Sequence, residues 1–420
     1  MKPVATLLIF LSLAQSGLLA QDAPTSRAQE IERARDAKVA ILKPEVVSAT
    51  ERRMRDFREQ KILERITAGY NGFRVKLGGM VTGAGFAFGP EYFREDLLNG
   101  SMSLRASAQI STGGYTKLGF ETGLHKLARN KVSLDFAAFR RDYKNLNYYG
   151  PGPDSVLTGR SVYRLEDTAA DVLAVFHPNR MIRLGASTGG LWVNVATSSE
   201  EHFAKTEALY SPAVAPGIDH QTDFWRNSVF AQIDYRDDPM GPKAGGNYVI
   251  QTGWYQDRNQ LGFSFRRTDL DFQQYIPFLN KTRRFALRAK GTFTEPDSGQ
   301  QTPFYLQPIL GGSDDLRGYR YFRFTDRNMV VYNAEYQWEI FSGLEGAVFM
   351  DAGKVMPRGG LLAFSNLETD AGFGLRFNAM NRTFMRFDVA FSHEGFQIWF
   401  KFNDFFNTRR FGVSSEQPVY

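Results

Sequence analysis

From Ser101 onward the chain falls into segments of about ten residues in which apolar and polar side chains alternate. A period of two constrains the fold more than any other feature, because a strand sends successive side chains to opposite faces. In the last such segment Phe396, Ile398, Phe400 and Phe402 share one face, with Gln397, Lys401 and Asn403 on the other. Met385, Phe387, Val389 and Phe391 oppose Arg386, Asp388 and Ser392, and Phe373, Leu375 and Phe377 oppose Gly374, Arg376 and Asn378. Leu344, Val348 and Met350 oppose Glu345, Phe349 and Asp351. Tyr332, Ala334, Tyr336, Trp338 and Ile340 oppose Asn333, Glu335, Gln337 and Glu339. Soluble sheets alternate too, but here the apolar face stays almost free of charge over many segments in succession. Strands that are greasy on one side and wet on the other are the signature of a transmembrane barrel.

Five such strands follow residue 327, and nine more are expected near 283–294, 262–278, 247–257, 225–237, 181–197, 162–176, 132–143, 116–126 and 102–112. The glycine-rich run Phe73 to Leu98 supplies two more, because an even total keeps both ends on one side of the membrane. The expected fold class is therefore all-β, a 16-stranded antiparallel transmembrane β-barrel over residues 71–406. Connections alternate in length: Ala128-Arg129-Asn130, His177-Pro178-Asn179 and Leu279-Asn280-Lys281 are tight, whereas 144–161, 198–224, 295–327 and 356–368 are long. Tight turns belong to the periplasmic end and long loops to the outside.

The two ends differ in kind. Met1 to Ala20 reads as a secretory signal, with Lys2, an apolar stretch Val4 to Ala14, and the small-residue end Gly17-Leu18-Leu19-Ala20. That apolar stretch is too short for a membrane-spanning helix, so the expected destination is the bacterial outer membrane. Residues 21–70 are dominated by charge, including Arg27, Glu30, Glu32, Arg33, Arg52, Arg53, Arg55 and Asp56. Val47, Met54, Phe57, Ile62 and Ile66 give a ragged apolar stripe, which predicts one or two exposed periplasmic helices separated near Pro44. Residues 407–420 are a tail.

Several activities find no support. Cysteine is absent, so there is no disulfide framework and no thiolate chemistry. A net charge of +6 spread over 420 residues is no footprint for nucleic acid. The five histidines (125, 177, 202, 220 and 393) share no ligand spacing, so no metal site is expected. Gly185-Ala186-Ser187-Thr188-Gly189 matches a nucleophile-elbow pattern, but that motif needs a strand-to-helix turn and this run sits inside a continuous strand. No catalytic residue, no cofactor and no enzyme activity is expected.

One stretch breaks the alternation. Leu310-Gly311-Gly312-Ser313-Asp314-Asp315-Leu316-Arg317-Gly318-Tyr319-Arg320-Tyr321-Phe322 is too polar and too glycine-rich for a strand. Gly311 and Gly312 admit backbone conformations closed to other residues. Arg317-Gly318-Tyr319 offers a cation that the long loop can fold back into a water-filled lumen. Inward-facing charges gather in the C-terminal strands, at Arg288, Lys290, Glu335, Glu339, Asp351, Arg376, Arg386 and Asp388. The planar fork of Arg317 suits a bidentate pair with an acidic wall residue.

This run resembles the lid-loop signature of the BamA/TamA-type outer-membrane assembly superfamily, also called the bacterial surface antigen family. Phe349-Met350-Asp351-Ala352-Gly353 is similar to the family's Phe-x-Asp-x-Gly wall motif. Asp234-Tyr235-Arg236-Asp237-Asp238-Pro239, with Pro242 and Gly245-Gly246, resembles its strand-turn motif, and Tyr148 to Ser155 a recurrent family loop. Gly372 to Arg376 and Asp388 fit its closing strands, so the resemblance covers about 101–406. It implies that Arg317 docks on Asp351, with Gly311, Gly312, Gly318, Tyr319, Glu335 and Gly353 in the same lumen lock. Asp234, Arg236 and Asp237 form the implied barrel motif. The implied role is insertion or translocation of proteins at the outer membrane by a monomer. Its partners would be outer-membrane lipid and nascent outer-membrane or secreted proteins, handled at a weak seam between the first and last strands. Gly72, Gly78, Gly79, Gly83 and Gly85 near the first strands fit such a seam. Residues 21–70 are too few for a POTRA module, so a barrel without POTRA domains is expected. The residues leave one alternative open, a gated or plugged pore for small solutes.

Overall fold

The computed structural model describes residues 31–37 and 70–401, except 79, 82, 240, 280, 358–363, 380 and 381. The expected signal, the break near Pro44, the second charged helix and the tail 407–420 lie outside the described residues. Two units divide between Arg53 and Met54. In the first, residues 31–37 are helical and exposed.

The second unit holds every described strand. Nineteen are present, and three of them (Ala204–Lys205, Ile309–Leu310 and Phe324–Thr325) are two-residue pieces within loops. The other sixteen are β1 (Phe73–Leu77), β2 (Ala87–Asp96), β3 (Met102–Ser111), β4 (Thr116–Lys126), β5 (Val132–Tyr148), β6 (Ser161–Phe176), β7 (Ile182–Thr197) and β8 (Phe224–Asp234), followed by β9 (Gly245–Asp257), β10 (Phe265–Phe278), β11 (Arg283–Pro296), β12 (Asn328–Phe341), β13 (Leu344–Met356), β14 (Glu368–Ala379), β15 (Arg382–Ser392) and β16 (Gly395–Lys401). Each pairs antiparallel with the next, in one unbroken meander. The long connections 149–160, 198–223, 297–327 and 357–367 all leave odd-numbered strands and so lie at one end, the outer one.

The wall inverts the usual sorting. Phe373, Phe391, Phe396, Ile398 and Phe400 are exposed, while Glu335, Asp351, Arg376, Arg386 and Asp388 are buried. Large apolar groups outside and charges inside are stable only where the outside is lipid and the inside is wet or paired. The connection 297–327 folds into the interior and touches strands from both halves of the meander. Tyr321 lies over Gly83 near β1, its carbonyl accepts from Asn147 of β5, and Arg317 is bonded to β13. One segment reaches all of these because the sheet curls around it, which makes the structure a 16-stranded β-barrel with an inserted loop.

Strand expectations hold, with differences at the ends: the strand expected over 225–237 stops at Asp234 and that over 262–278 begins at Phe265. β5 ends at Tyr148 rather than near 143, because an irregularity between Tyr143 and Leu146 carries the pairing past the expected end. Gly72, Gly78, Gly83 and Gly85 lie beside the first strands, as expected, and take positive φ. At Gly83 the requirement is steric as well: a Cβ would lie 2.6 Å from the Tyr321 ring. Ser187 lies inside β7, its hydroxyl 2.6 Å from that of Ser228, with no turn of the elbow type.

Candidate functional site

The loop 297–327 is seated by an apolar shoulder and a charged tip. Leu310, Leu316, Tyr319 and Phe324 pack with Met329 and Val331 of β12 and Val355 of β13. Gly311 (φ +109) and Gly312 (φ +102) make the turn into the lumen. A Cβ on Gly311 would lie 2.6 Å from the carbonyl oxygen of Arg320. Gly353 faces this shoulder from β13, where a Cβ would come within 3.3 Å of Leu310.

At the tip Arg317 is fully buried. Its Nε and Nη2 donate to Asp351 at 2.7 and 2.9 Å, the bidentate geometry that a guanidinium fork favours. Nη1 donates to Glu335 at 2.7 Å, and the guanidinium carbon lies 3.4 Å from the centroid of the Phe349 ring. Because side chains alternate along β12 and β13, Asn333 and Glu335 share the inner face with Phe349 and Asp351. Asn333 donates to Asp351 at 2.9 Å and to the Asp315 carbonyl at 2.8 Å, so the wall also holds the loop backbone.

The pair continues into a network. Arg376 of β14 donates to Glu335 at 2.9 Å and to Asp388 of β15 at 2.5 Å. Arg386 of β15 donates to Asp388 at 2.9 Å and returns to the loop at the Ser313 carbonyl, 2.6 Å away. All six side chains, three arginines and three carboxylates, are fully buried. A buried charge left alone costs several kcal/mol, so such an array is tenable only when every member is matched. Lys290 to Asp315 at 2.9 Å fastens the loop to β11. Trp399 of β16 donates its indole N–H to the Arg317 carbonyl at 2.6 Å, and the Ser392 hydroxyl donates to the Gly318 carbonyl at 2.8 Å. The Tyr319 hydroxyl donates to Glu368 at 2.8 Å.

Gly311, Gly312, Arg317, Gly318, Tyr319, Glu335, Asp351 and Gly353, all named from the sequence, thus meet in one place. Trp399, Phe349, Asn333 and the Arg376–Asp388–Arg386 relay were not assigned to it. Tyr148 to Ser155 joins the site at its upper edge. Gly152 N–H donates to the Thr325 carbonyl at 2.8 Å, and Arg323 donates to the Ser155 hydroxyl at 2.9 Å and to Glu394 at 2.7 Å.

Asp234, Arg236 and Asp237 stand apart, at the inner end between β8 and β9. Arg236 donates to Asp234 at 2.8 and 2.6 Å. Asp237 accepts from the Lys243 and Ala244 N–H groups at 2.9 and 3.0 Å and from Lys281 at 3.0 Å. Partial burial opposes its charge, yet those N–H donors and Lys281 hold its carboxyl below the usual range. Such a group stabilises fully above the ordinary carboxylate pKa of about 3.9, and the gain fades as pH falls through the lowered value. Asp237→Ala is expected to lower stability by about 1–3 kcal/mol at neutral pH without loosening the loop 297–327, which denaturant unfolding with limited proteolysis will check.

Above the lock the outer mouth is closed by apolar loop residues. Phe304, Tyr305 and Leu306, with Phe322, Ala215 and Ile218, pack on Tyr148, Tyr163 and Phe224 of the wall. Phe304 lies 5.1 and 4.9 Å from the rings of Tyr148 and Tyr163. Among the described residues no cluster of metal-ligating side chains is present and no helix is long and apolar enough to cross a membrane.

Comparison with known proteins places this architecture. Among solved structures the chain resembles BamA from Haemophilus ducreyi lacking POTRA domains 1-3, with a TM-score of 0.59 and 16% identity over 79% of this chain and 69% of that one. It also resembles CdiB from Escherichia coli, with a TM-score of 0.55 and 12% identity over 79% of this chain and 62% of that one. At such identities these likenesses speak for the fold alone. No curated protein matches in sequence. The Omp85 superfamily domain matches residues 72–406, which include the whole wall and the loop 297–327. The chain belongs to the Omp85 superfamily of outer-membrane β-barrels.

Proposed function

We propose that this barrel acts in the insertion or translocation of proteins at the outer membrane, with residues 310–322 as a lid braced on the lumen wall. The observation that carries this reading is the lock itself: Arg317 is held by Asp351 and Glu335 and, through its carbonyl, by Trp399 of the terminal strand. A standing pore has no need of a buried charge network joining its plug to its last strand. The apolar cluster at the outer end supports the same reading, since it packs the loops against the wall.

At the other end of the meander β1 is only five residues long. Pro90 in β2 has no N–H, and the β2–β3 register lacks pairs at Gly89 and Pro90. Both features make the first strands the weaker side, where an incoming chain would add by strand pairing. The role rests on depletion: lowering expression of this protein should reduce the abundance of other outer-membrane or secreted proteins. Unchanged abundance, together with large steady conductance of the purified wild-type barrel in planar bilayers, would establish the solute pore instead.

A further inference from the structure

The lipid-facing surface of the first strands is not smooth. A depression of about 550 Å³ opens there, floored by Ala106, Ala108 and Ala138 and walled by Tyr92, Leu118 and Phe120. The register explains it. Tyr92 faces Ala106, Ala106 faces Phe120 and Phe120 faces Ala138, so methyl groups alternate with large rings across neighbouring strands. An acyl chain is the shape and polarity that such a furrow fits, because water gains nothing there and a void forfeits dispersion contacts.

Arg140 also lines the furrow, facing Leu118 on β4 and Thr168 on β6. Its side chain is exposed on the lipid side, since β5 alternates and Phe139 and Arg141 are buried. Below it the outward face reads Val132, Leu134, Phe136 and Ala138, and above it comes Asp142, paired with Arg164 at 2.8 Å. At ~3.3 Å per residue and a tilt of ~40°, Arg140 lies about 20 Å above Val132, near the outer edge of an apolar band ~25 Å tall. Asp142 is held by Arg164, and Arg140 has no hydrogen-bond or ion-pair partner among the described residues.

We propose that this furrow and Arg140 form a site for one anionic, phosphate-bearing lipid of the outer leaflet. One acyl chain lies over Ala106, Ala108 and Ala138, and the phosphate meets the Arg140 guanidinium. The site is built on the outer face and owes nothing to the lid loop, so it stands whether or not the barrel assembles proteins. It would hold a lipid beside β2 and β3, where the ladder is interrupted at Pro90.

Native mass spectrometry of the full chain, released from a neutral detergent with phosphatidylglycerol or phosphatidylcholine added, tests this. Wild type should retain phosphatidylglycerol in preference to phosphatidylcholine. Arg140→Gln should remove that preference, weakening phosphatidylglycerol retention about tenfold. Ala106→Trp, which fills the furrow from a lipid-facing position, should lower retention of both lipids while heat-modifiable gel mobility shows an intact barrel. Equal retention of the two lipids by wild type, or either variant behaving as wild type, would overturn the proposal and leave ordinary annular lipid.

Discussion

Arg317→Ala is expected to destabilise the barrel by about 3–5 kcal/mol, because it takes from buried Asp351 the arginine that pairs it and from buried Glu335 one of its two. The loss should appear as a lower temperature for the folded-to-unfolded band shift on semi-native gels. Most of that cost belongs to the abandoned carboxylates, so Arg317→Ala combined with Asp351→Ala should be less damaged than the two single losses added together. Arg317→Lys should fall between, since a lysine keeps the charge but cannot span Asp351 and Glu335 with one planar fork. A wild-type melting profile for Arg317→Ala would remove the physical basis of the lock.

Gly318→Val is expected to match that damage by a different route. A side chain at Gly318 would run into the Cβ of Asp370 and lie 3.0 Å from the Cβ of Ser392. Both are on paired strands of the wall and have no room to retreat, so the loop tip must lift. Overpacking of this kind costs about 1–3 kcal/mol, and lifting the tip adds the partial loss of the Arg317 contacts. Arg317 and Arg323 are buried in the docked loop. Trypsin should therefore cut the Gly318→Val loop after Arg317 and Arg323, two sites that stay protected in wild type, whereas Arg320 is exposed in both. Resistance equal to wild type would show that the tip tolerates bulk and is not clamped between β14 and β15.

Much of this was legible in the sequence, for physical reasons that also mark where legibility ends. Alternation places Glu335 and Asp351 on the inner face with certainty once lipid lies outside. The glycines at 311 and 312 announce a turn that other residues could not make. Alternation says which face a residue takes but not which neighbour it meets, because that depends on register between strands. Hence Arg376, Arg386 and Asp388 were visible only as inward charges, and their relay to Glu335 and the Ser313 carbonyl was not. Trp399 was hidden for a plainer reason: its contact is to a backbone oxygen 82 residues earlier, and backbone acceptors carry no sequence signal. The motif Asp234 to Asp237 was recognisable as a unit apart from the lock, and the structure assigns it to the inner turn.

The bonds from Trp399 to Arg317 and from Ser392 to Gly318 give the last strands a second hold besides their own ladder. Tension on the carboxyl-terminal strand is thus shared between the neighbouring strand and the loop tip. Peeling that strand away therefore also costs the loop tip one of its holds, which couples the end of the barrel to the lumen.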